Sequence, residues 1–370
     1  MNETRAAFLA AATRILHDIP PPAARSAGAM SSMDDRTWRV LAEAGFAEAL
    51  VPIEKDGAGL LFSDALPLAA LTAAHAAAVP LPEVMLANGI LAGHDLYHPG
   101  STPVLAIARP GAAQPVLREG QVSGVLARVP WGRHASHYAV PVQADGQAAL
   151  CLVARDARGV LLEHGMNMAG EPRDTITFRA AEMIDARKLR VSEDFLYQAC
   201  AVTRCAQIAG AIARILELAS EYANLRKQFG RPIGKFQAVQ HMIARLAAEA
   251  VAAQSAVDGG IEALDHAMAS SGCEHDVLIA TAAAKIRCGE AAGLSAALAH
   301  QVFGAIGFTK EHTLEAYTKR LWAWRDEYGS EAAWSERLGE CLARKGAGGL
   351  WPSLTEAAYR IGSTPSLEHV

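Results

Sequence analysis

The chain has 370 residues, 51% of them apolar, and a formal net charge of −5. This length suffices for two or three domains with a large core. Lys and Arg are dispersed, so nothing supports a nucleic-acid partner, and no run of eighteen apolar residues predicts a membrane span. The N-terminus has acidic residues and no signal-peptide layout, so we expect a cytoplasmic protein.

Residues 1–101 are predicted to form an N-terminal helical domain. Apolar residues at helical spacing make one stripe from Phe8 to Leu16 and another from Trp38 to Phe46, and prolines 20–22 separate the two. His94 and His98 are four residues apart, as two metal ligands on one helix face would be. Because Pro99 and Gly100 follow at once, solvated histidines at an element's end are the favoured interpretation.

Residues 102–190 change to short strand-like runs separated by turns, which predicts a small antiparallel barrel or sandwich as the middle domain. The runs read PVLAIA, VSGVLARV, HYAVPVQ, ALCLVAR, GVLLEHG and DTITFRA.

Residues 191–370 return to a helical pattern. Ser192 is a predicted N-cap for a helix running to Arg226, and an alanine-rich helix is expected over 276–302. Four long helices of this kind suit a bundle, since alanines permit close packing. A short further helix is expected at 354–359. The predicted fold class is therefore α+β and multi-domain, with an N-terminal helical domain, a small middle β-barrel or sandwich domain and a C-terminal four-helix bundle.

The six cysteines form no CxxC pair and lie mostly in apolar stretches. This distribution indicates buried, reduced thiols. No metal site is predicted.

The most specific stretch covers residues 221–241, EYANLRKQFGRPIGKFQAVQH. Glycines and a proline break the helical period at 230–234, and a new period begins at Phe236. This spacing predicts Arg226–Gln228 on the last turn of one helix and Gln237 on the first turn of the next, where free N–H groups favour an anion. A helical hairpin with a cationic C-cap would explain the same spacing without any ligand.

Two motifs carry a family resemblance. RKQFGRPIGKFQAVQH is similar to the signature that opens the C-terminal helical domain of the acyl-CoA dehydrogenase family, flavoenzymes that desaturate acyl-CoA thioesters. QVFGAIGFTKEHTLEAYTKR at 301–320 resembles that family's second signature, Gln-x-x-Gly-Gly-x-Gly-Phe followed by an acidic residue and a basic pair. Their order and separation match as well.

The resemblance implies FAD as cofactor, an acyl-CoA substrate and an electron-transfer flavoprotein as electron acceptor. It also implies a dimer of dimers, either a homotetramer or a heterotetramer with a second acyl-CoA dehydrogenase subunit. The implied reaction is α,β-dehydrogenation, in which a carboxylate takes the α-proton while the β-hydrogen leaves as hydride to flavin N5. A thioester α-proton is weakly acidic, so the carbonyl must be polarised and the base held close.

In the first signature the resemblance implies four cofactor-binding residues. Arg226 matches the arginine that reaches the flavin pyrophosphate, Phe229 the aromatic against the cofactor, and Gln237 the glutamine that opens the next helix. Gln228 takes the place usually held by a small hydroxyl residue.

In the second signature Gln301, Gly304, Ala305 and Gly307 match the segment whose backbone approaches the ADP part of a neighbouring subunit's flavin, with alanine in place of the second glycine. The two glycines also have a purely structural explanation, because glycine commonly ends a helix.

The middle domain departs from the family. Its Thr-Glu-Pro-Gly segment appears only at 108–111 as Ala-Arg-Pro-Gly, and its Trp-Ile-Thr-Asn strand reads Arg-Val-Pro-Trp at 128–131. Pro130 lacks both a hydroxyl and an N–H donor. Flavin binding on this face must therefore use other groups or be weaker. Trp131 is predicted either to stack on the flavin or to lie in the barrel core.

The family's catalytic glutamate lies in a Tyr-Glu-Gly-Thr segment a fixed distance after the second signature. Counted without gaps, the position of that glutamate falls on Tyr328 in this chain. The position that a minority of the family uses on the earlier helix is Cys200. A one-residue shift makes Glu327 the predicted base, with Asp326 or Glu331 as substitutes, and a solvated acidic turn is the competing interpretation.

Two other functions stay open. The chain resembles the partner subunits of bacterial two-gene acyl-CoA dehydrogenases, including those acting on steroid side chains, and would then be a non-catalytic subunit that frames the flavin. A flavin-fold member with other chemistry, such as nitroalkane oxidation or hydroxylation, is the third alternative.

Overall fold

The computed structural model describes residues 3–20, 33–270, 274–309 and 312–344. The helix expected at 354–359 lies outside these ranges, as does Cys273.

The N-terminal part is helical, and the two predicted apolar stripes supply buried residues such as Leu16 and Leu41. The second helix begins at an N-cap, Asp34, whose carboxylate accepts the backbone N–H of Thr37 at 3.0 Å. The helices are α1 (Glu3–His17), α2 (Asp35–Glu43), α3 (Phe62–Ala65), α4 (Pro67–Ala74) and α5 (Leu81–Gly93).

Eight strands follow and form one sheet in the order β6-β7-β3-β2-β4-β5-β8, with β1 paired to β4. All six runs predicted as strands are present. The strands are β1 (Pro103–Leu105), β2 (Val116–Arg118), β3 (Gln121–Pro130), β4 (His137–Ala144), β5 (Gln147–Ala154), β6 (Val160–Glu163), β7 (Arg173–Glu182) and β8 (Asp185–Lys188).

The sheet is not wholly antiparallel, as the sequence predicted, because β1 and β2 both run parallel to β4. A parallel pair needs a crossover connection, and the β2–β3 hairpin lies between β1 and β4 along the chain. Strands β2 and β8 were missed, since one has three residues and the other is mostly charged.

The C-terminal part consists of α6 (Glu193–Leu225), α7 (Gln237–Ala269), α8 (Glu274–Phe303), α9 (Leu314–Arg325) and α10 (Glu331–Ala343). Ser192 is confirmed as the N-cap of α6, because its side chain accepts the N–H of Phe195 at 3.1 Å. Small residues allow close helix contacts: a Cβ on Gly210 would lie 2.1 Å from the carbonyl oxygen of Ala70 on α4.

The helical N-terminal part and the bundle share one continuous apolar core, to which the sheet contributes Leu105, Ala139, Leu150 and Leu152, and the sheet also has a second core of its own. One carboxylate also ties the two helical parts together. Asp265 on α7 accepts the backbone N–H groups of Phe62 and Ser63 at 2.7 and 3.0 Å. We propose domain boundaries at 101/102 and 190/191, between α5 and β1 and between β8 and α6.

Two helical stretches, Glu193–Leu225 and Glu274–Phe308, have the length and apolar composition of a membrane-crossing helix. Their most apolar windows are 83% and 56% buried inside the fold. Packing within the bundle therefore accounts for this apolarity, and the same features are typical of core helices in globular proteins.

The interpretation of His94 as a solvated histidine is wrong. This residue is 3% exposed. Its Nδ1 lies 2.7 Å from the carbonyl oxygen of Ile90, and its Nε2 accepts the N–H of Arg190 at 3.0 Å. No cluster of three potential metal ligands occurs within the described ranges. The five cysteines in those ranges are free and buried, as predicted.

The prediction that Arg226–Gln228 lie on the last turn of α6 is wrong, because the helix ends at Leu225. Arg226 has an extended backbone, and β9 (Lys227–Gln228) pairs with β10 (Arg231–Pro232) in a small hairpin. Phe229 and Gly230, at φ of 50° and 81°, make its turn. Positive φ at both central residues is the geometry of a two-residue hairpin loop, which a helical period cannot reveal.

Candidate functional site

The two signature segments meet at one end of the bundle. Tyr222, near the end of α6, stacks on Phe303, the last residue of α8, with ring centroids 4.4 Å apart. The hairpin that follows α6 and the turn that follows α8 therefore leave the bundle at the same end. We call this region, residues 226–237 together with 301–308, the signature surface.

The hairpin half of the signature surface is open to solvent. Arg226, Lys227, Gln228 and Phe229 are all exposed, and the ring of Phe229 is 90% exposed. The ring contacts that of Phe236 edge to face, with centroids 6.1 Å apart, and the rest of its surface is accessible to another molecule. Gln237, also exposed, is the first residue of α7, whose N-cap position is occupied by a phenylalanine that provides no side-chain cap.

The second half is a 3₁₀ turn over Gly304–Phe308. Gln301, Gly304 and Ala305 are exposed. Gly304 has a φ of 65°, and nothing lies within 4 Å of where its Cβ would be. Gly307 is buried, and a Cβ there would come within 3.0 Å of Phe303. Packing explains Gly307 and the left-handed turn explains Gly304, so the structural explanation suffices for both glycines.

The donors on the signature surface suit a dinucleotide cofactor such as FAD. A guanidinium group fits a pyrophosphate, free N–H groups at the start of a long helix favour an anion, and an exposed aromatic ring suits a planar ring system. Arg226, the α7 N-terminus at Gln237 and Phe229 would supply these three functions. Because the surface is exposed, it would reach a cofactor held mainly by a neighbouring subunit.

Trp131 lies elsewhere. It is 3% exposed and packs in the sheet's own core, 5.8 Å from the ring of His134. This position favours the core interpretation over stacking on a flavin. Its backbone has a φ of 55°, and the β-bulge between Leu126 and Val129 precedes it in β3.

A groove of about 600 Å³ runs between the sheet and α10. Its walls include Arg109, Arg128, Arg337 and the rings of Tyr197 and Trp334. Arg337 is paired with Asp194 at 2.6 Å. The volume falls within the range of small-molecule clefts, and the groove ends at Gly329 and Ser330, beside the predicted base.

Glu327 is buried and engaged on both carboxylate oxygens. Arg173 binds Oε1 through Nε at 2.7 Å and Oε2 through Nη2 at 3.0 Å, and Arg204 Nε lies 3.0 Å from Oε2. Asn167 donates to Oε1 at 3.1 Å. Only 7% of the residue is exposed.

These bonds belong to a larger buried ion network. Glu171 accepts from Arg173 and Arg320 at 3.0 Å each, and from the indole N–H of Trp324 at 2.8 Å. Arg204 also binds Glu83 at 2.9 Å. Three carboxylates thus face three guanidinium groups, and the network joins α5, α6, α9 and the start of β7. The ion network consists of Glu83, Glu171, Arg173, Arg204, Arg320 and Glu327.

The network makes Glu327 a weak base. Burial alone would raise the pKa of its carboxyl group, but the charges of Arg173 and Arg204 outweigh this effect and lower the pKa below its usual value. Lys285 fixes the backbone as well, donating to the carbonyls of Arg325 and Glu327 at 3.0 and 2.7 Å. An acyl α-proton acceptor needs a free lone pair and a higher pKa.

The other candidate positions offer no better base. Burial raises the pKa of Cys200 to about 12 and that of Tyr328 well above its usual value, so both groups are neutral near pH 7. Glu331 is paired with Arg325. Asp326 is exposed at the rim of the groove. A solvated acidic turn describes Asp326 but not Glu327.

The sequence interpretation identified only Glu327 among the residues of the ion network and missed the other five. One signal was present: Arg204 stands alone among apolar residues in the middle of α6. A single charge at such a position must find a buried partner. Its partners lie on other elements, so periodicity could not identify them.

Comparisons with known proteins agree with this fold. A model of the acyl-CoA dehydrogenase C-terminal domain matches residues 195–331. Acyl-CoA dehydrogenase IpdE2 of Mycobacterium tuberculosis is 29% identical over 306 residues, which cover 81% of this chain and 85% of the relative.

Two solved structures are also similar. The ChsE4-ChsE5 complex from Mycobacterium tuberculosis matches with a TM-score of 0.81 and 22% identity, covering 93% of this chain and 98% of that chain. Butyryl-CoA dehydrogenase from Megasphaera elsdenii matches with a TM-score of 0.80 and 16% identity, covering 93% and 99%. At these identities the two matches establish the fold alone.

Proposed function

We propose that this chain, a member of the acyl-CoA dehydrogenase family of FAD-dependent oxidoreductases, serves the α,β-dehydrogenation of an acyl-CoA thioester. Its part in that reaction is to be the flavin-framing subunit of a mixed assembly. The observation that carries the proposal is the state of Glu327, whose carboxylate is bound by two arginines. A second dehydrogenase subunit would then supply the base.

The signature surface gives this chain its part in the reaction. Arg226 would bind the pyrophosphate of a flavin dinucleotide, Phe229 would cover its ring system, and Gln237 and Gln301 would bind its polar edges. When bound, FAD accepts the hydride that leaves the β-carbon. The residues of this chain would hold the cofactor in place and exclude water from it.

The competing proposal keeps Glu327 as the base of a complete enzyme. Its carboxylate would have to leave Arg173 and Arg204 before taking a proton, and three buried guanidinium groups would then share only the two carboxylates of Glu83 and Glu171. Breaking a buried pair in this way costs about 3–5 kcal/mol. The geometry therefore favours the flavin-framing subunit.

Partners and location follow from the same proposal. The assembly would be a heterotetramer, and an electron-transfer flavoprotein would take the electrons. One of the similar structures is a complex of ChsE4 with ChsE5, which supports the proposal of a mixed assembly. Cytoplasmic location and a homotetramer as the alternative assembly stay predictions.

Flavin content tests the role of the signature surface. Arg226→Ala, in the chain co-expressed with a subunit that keeps the family's glutamate, should lose at least tenfold in FAD affinity. Arg39→Ala is the matched control, since Arg39 is an exposed cation on α2, outside the signature surface. Equal FAD content and equal assembly in the two variants would mean that Arg226 only ends α6.

A further inference from the structure

The space behind Glu327 and Tyr328 is nearly closed. One cavity, lined by Leu105, Arg109, Tyr197, Glu327 and Tyr328, measures about 40 Å³. A second cavity on the other side of Tyr328 measures about 20 Å³. Cavities of this size hold one or two water molecules, whereas small-molecule clefts measure roughly 300–1,000 Å³.

The guanidinium group of Arg204 occupies the space between these elements. It is 2% exposed, binds Glu83 at 2.9 Å and Gln207, and lies 3.0 Å from Glu327. It also lies over the ring of Tyr328, 6.0 Å from the centroid. The side chain therefore connects α5, α6 and the segment that carries Glu327, and it lines the smaller cavity.

The smaller cavity is polar as well as small. Glu83, Cys200, Thr203, Arg204 and Gln207 all line it. One carboxylate oxygen of Glu83 is buried and has no hydrogen-bond partner among the described residues. Such a cavity suits water, which can donate to that oxygen, and it disfavours a hydrocarbon chain, which would leave charged groups desolvated and unpaired.

We propose that Arg204, clamped between Glu83 and Glu327, closes the space behind Glu327 and Tyr328 to acyl groups, so that this chain offers an acyl group no pocket beyond the groove beside α10 and the acyl group of the assembly is held by the partner subunit. This inference rests on the proposed flavin-framing function. Arg204 acts here as a positioning residue, because it holds the Glu327 carboxylate and fills the space between α5, α6 and Tyr328.

A charge-balanced double substitution tests the closure. Glu83→Ala together with Arg204→Ala removes one negative and one positive charge. The ion pairs of Glu327 with Arg173 and of Glu171 with Arg320 remain. The matched control is Arg214→Ala with Glu217→Ala, an exposed ion pair on the same helix at 2.7 Å. Butyryl-CoA and free CoA are titrated calorimetrically into each purified chain.

The wild-type chain and the control should bind butyryl-CoA and CoA with affinities within twofold of each other. The double variant should prefer butyryl-CoA at least tenfold, with one molecule per chain. A folded double variant with no such preference would refute the role of Arg204.

A tenfold preference in the wild-type chain would refute the closure itself, and this measurement decides the matter even if the double variant does not fold. Failure of the proposed function is distinguishable. A co-assembled wild-type complex that contains no FAD would refute the framing function while a closed, non-discriminating chain still supports the inference about Arg204.

Discussion

Substitution of Glu327 by glutamine separates a structural carboxylate from a catalytic one. The change keeps the shape of the side chain but removes one of three negative charges that face three buried arginines. An uncompensated buried charge costs about 3–5 kcal/mol. Glutamine still accepts a hydrogen bond from Arg173, so we expect a loss of about 3 kcal/mol in the free energy of unfolding. In a chain of this length that loss lowers Tm by roughly 4 °C.

Urea denaturation followed by circular dichroism measures this loss. Glu217→Gln is the control, since Glu217 is 61% exposed in an ion pair with Arg214, and the control should change the free energy of unfolding by less than about 1 kcal/mol. Adding Arg173→Gln to Glu327→Gln restores charge balance, so the double variant should be at least about 1 kcal/mol more stable than the sum of the single losses. A Glu327→Gln protein as stable as wild type, and strictly additive with Arg173→Gln, would refute the structural role of this carboxylate.

Three further predictions concern the scaffold. Gly210→Ala should lower the free energy of unfolding by about 1–3 kcal/mol, because its Cβ would collide with the backbone of Ala70. The control Gly259→Ala adds a Cβ in open space on α7 and should leave stability unchanged. Equal Tm values for the two variants would refute the predicted collision at Gly210. Asp265→Ala should lower the free energy of unfolding, measured by urea denaturation, by about 1–2 kcal/mol, since two backbone N–H groups lose their acceptor. A loss below about 0.5 kcal/mol, the size typical of surface substitutions, would contradict this prediction. Burial would raise the pKa of Glu171, but the neighbouring guanidinium groups lower it from 4.5 to about 2, so its contribution to stability is complete above pH 4.5 and is lost as the pH falls towards 2. Glu171→Gln should remove that part of the acid dependence, measured as unfolding free energy against pH.

Much of the fold could be predicted from local patterns. Helical periodicity and the cap at Ser192 locate the start of α6, and strand-like runs locate six of the eight strands. What local patterns could not provide is the pairing of distant elements. The parallel pairing of β1 with β4 depends on a crossover, and the hairpin after Leu225 depends on positive φ at Phe229.

The candidate site also has one part that local sequence patterns identify and one part that depends on contacts between distant residues. The residues of the signature surface are close in sequence, so motifs identify them, and the structure brings both signatures to one end of the bundle. The ion network joins residues up to 244 positions apart, from Glu83 to Glu327, and no sequence spacing indicates such contacts. Glu327 was therefore selected as a base from its position in a motif, while its burial between Arg173 and Arg204 became visible only in the structure.

The most direct test of the account is an anaerobic titration of this chain with acyl-CoA thioesters while the flavin absorbance is followed. The panel includes straight, branched and sterol-type acyl groups. The account predicts no bleaching when the chain is purified alone, and bleaching once it is co-assembled with a subunit that carries the family's glutamate. Bleaching of the flavin by an acyl-CoA in the chain alone would contradict it, because one polypeptide would then hold both cofactor and base.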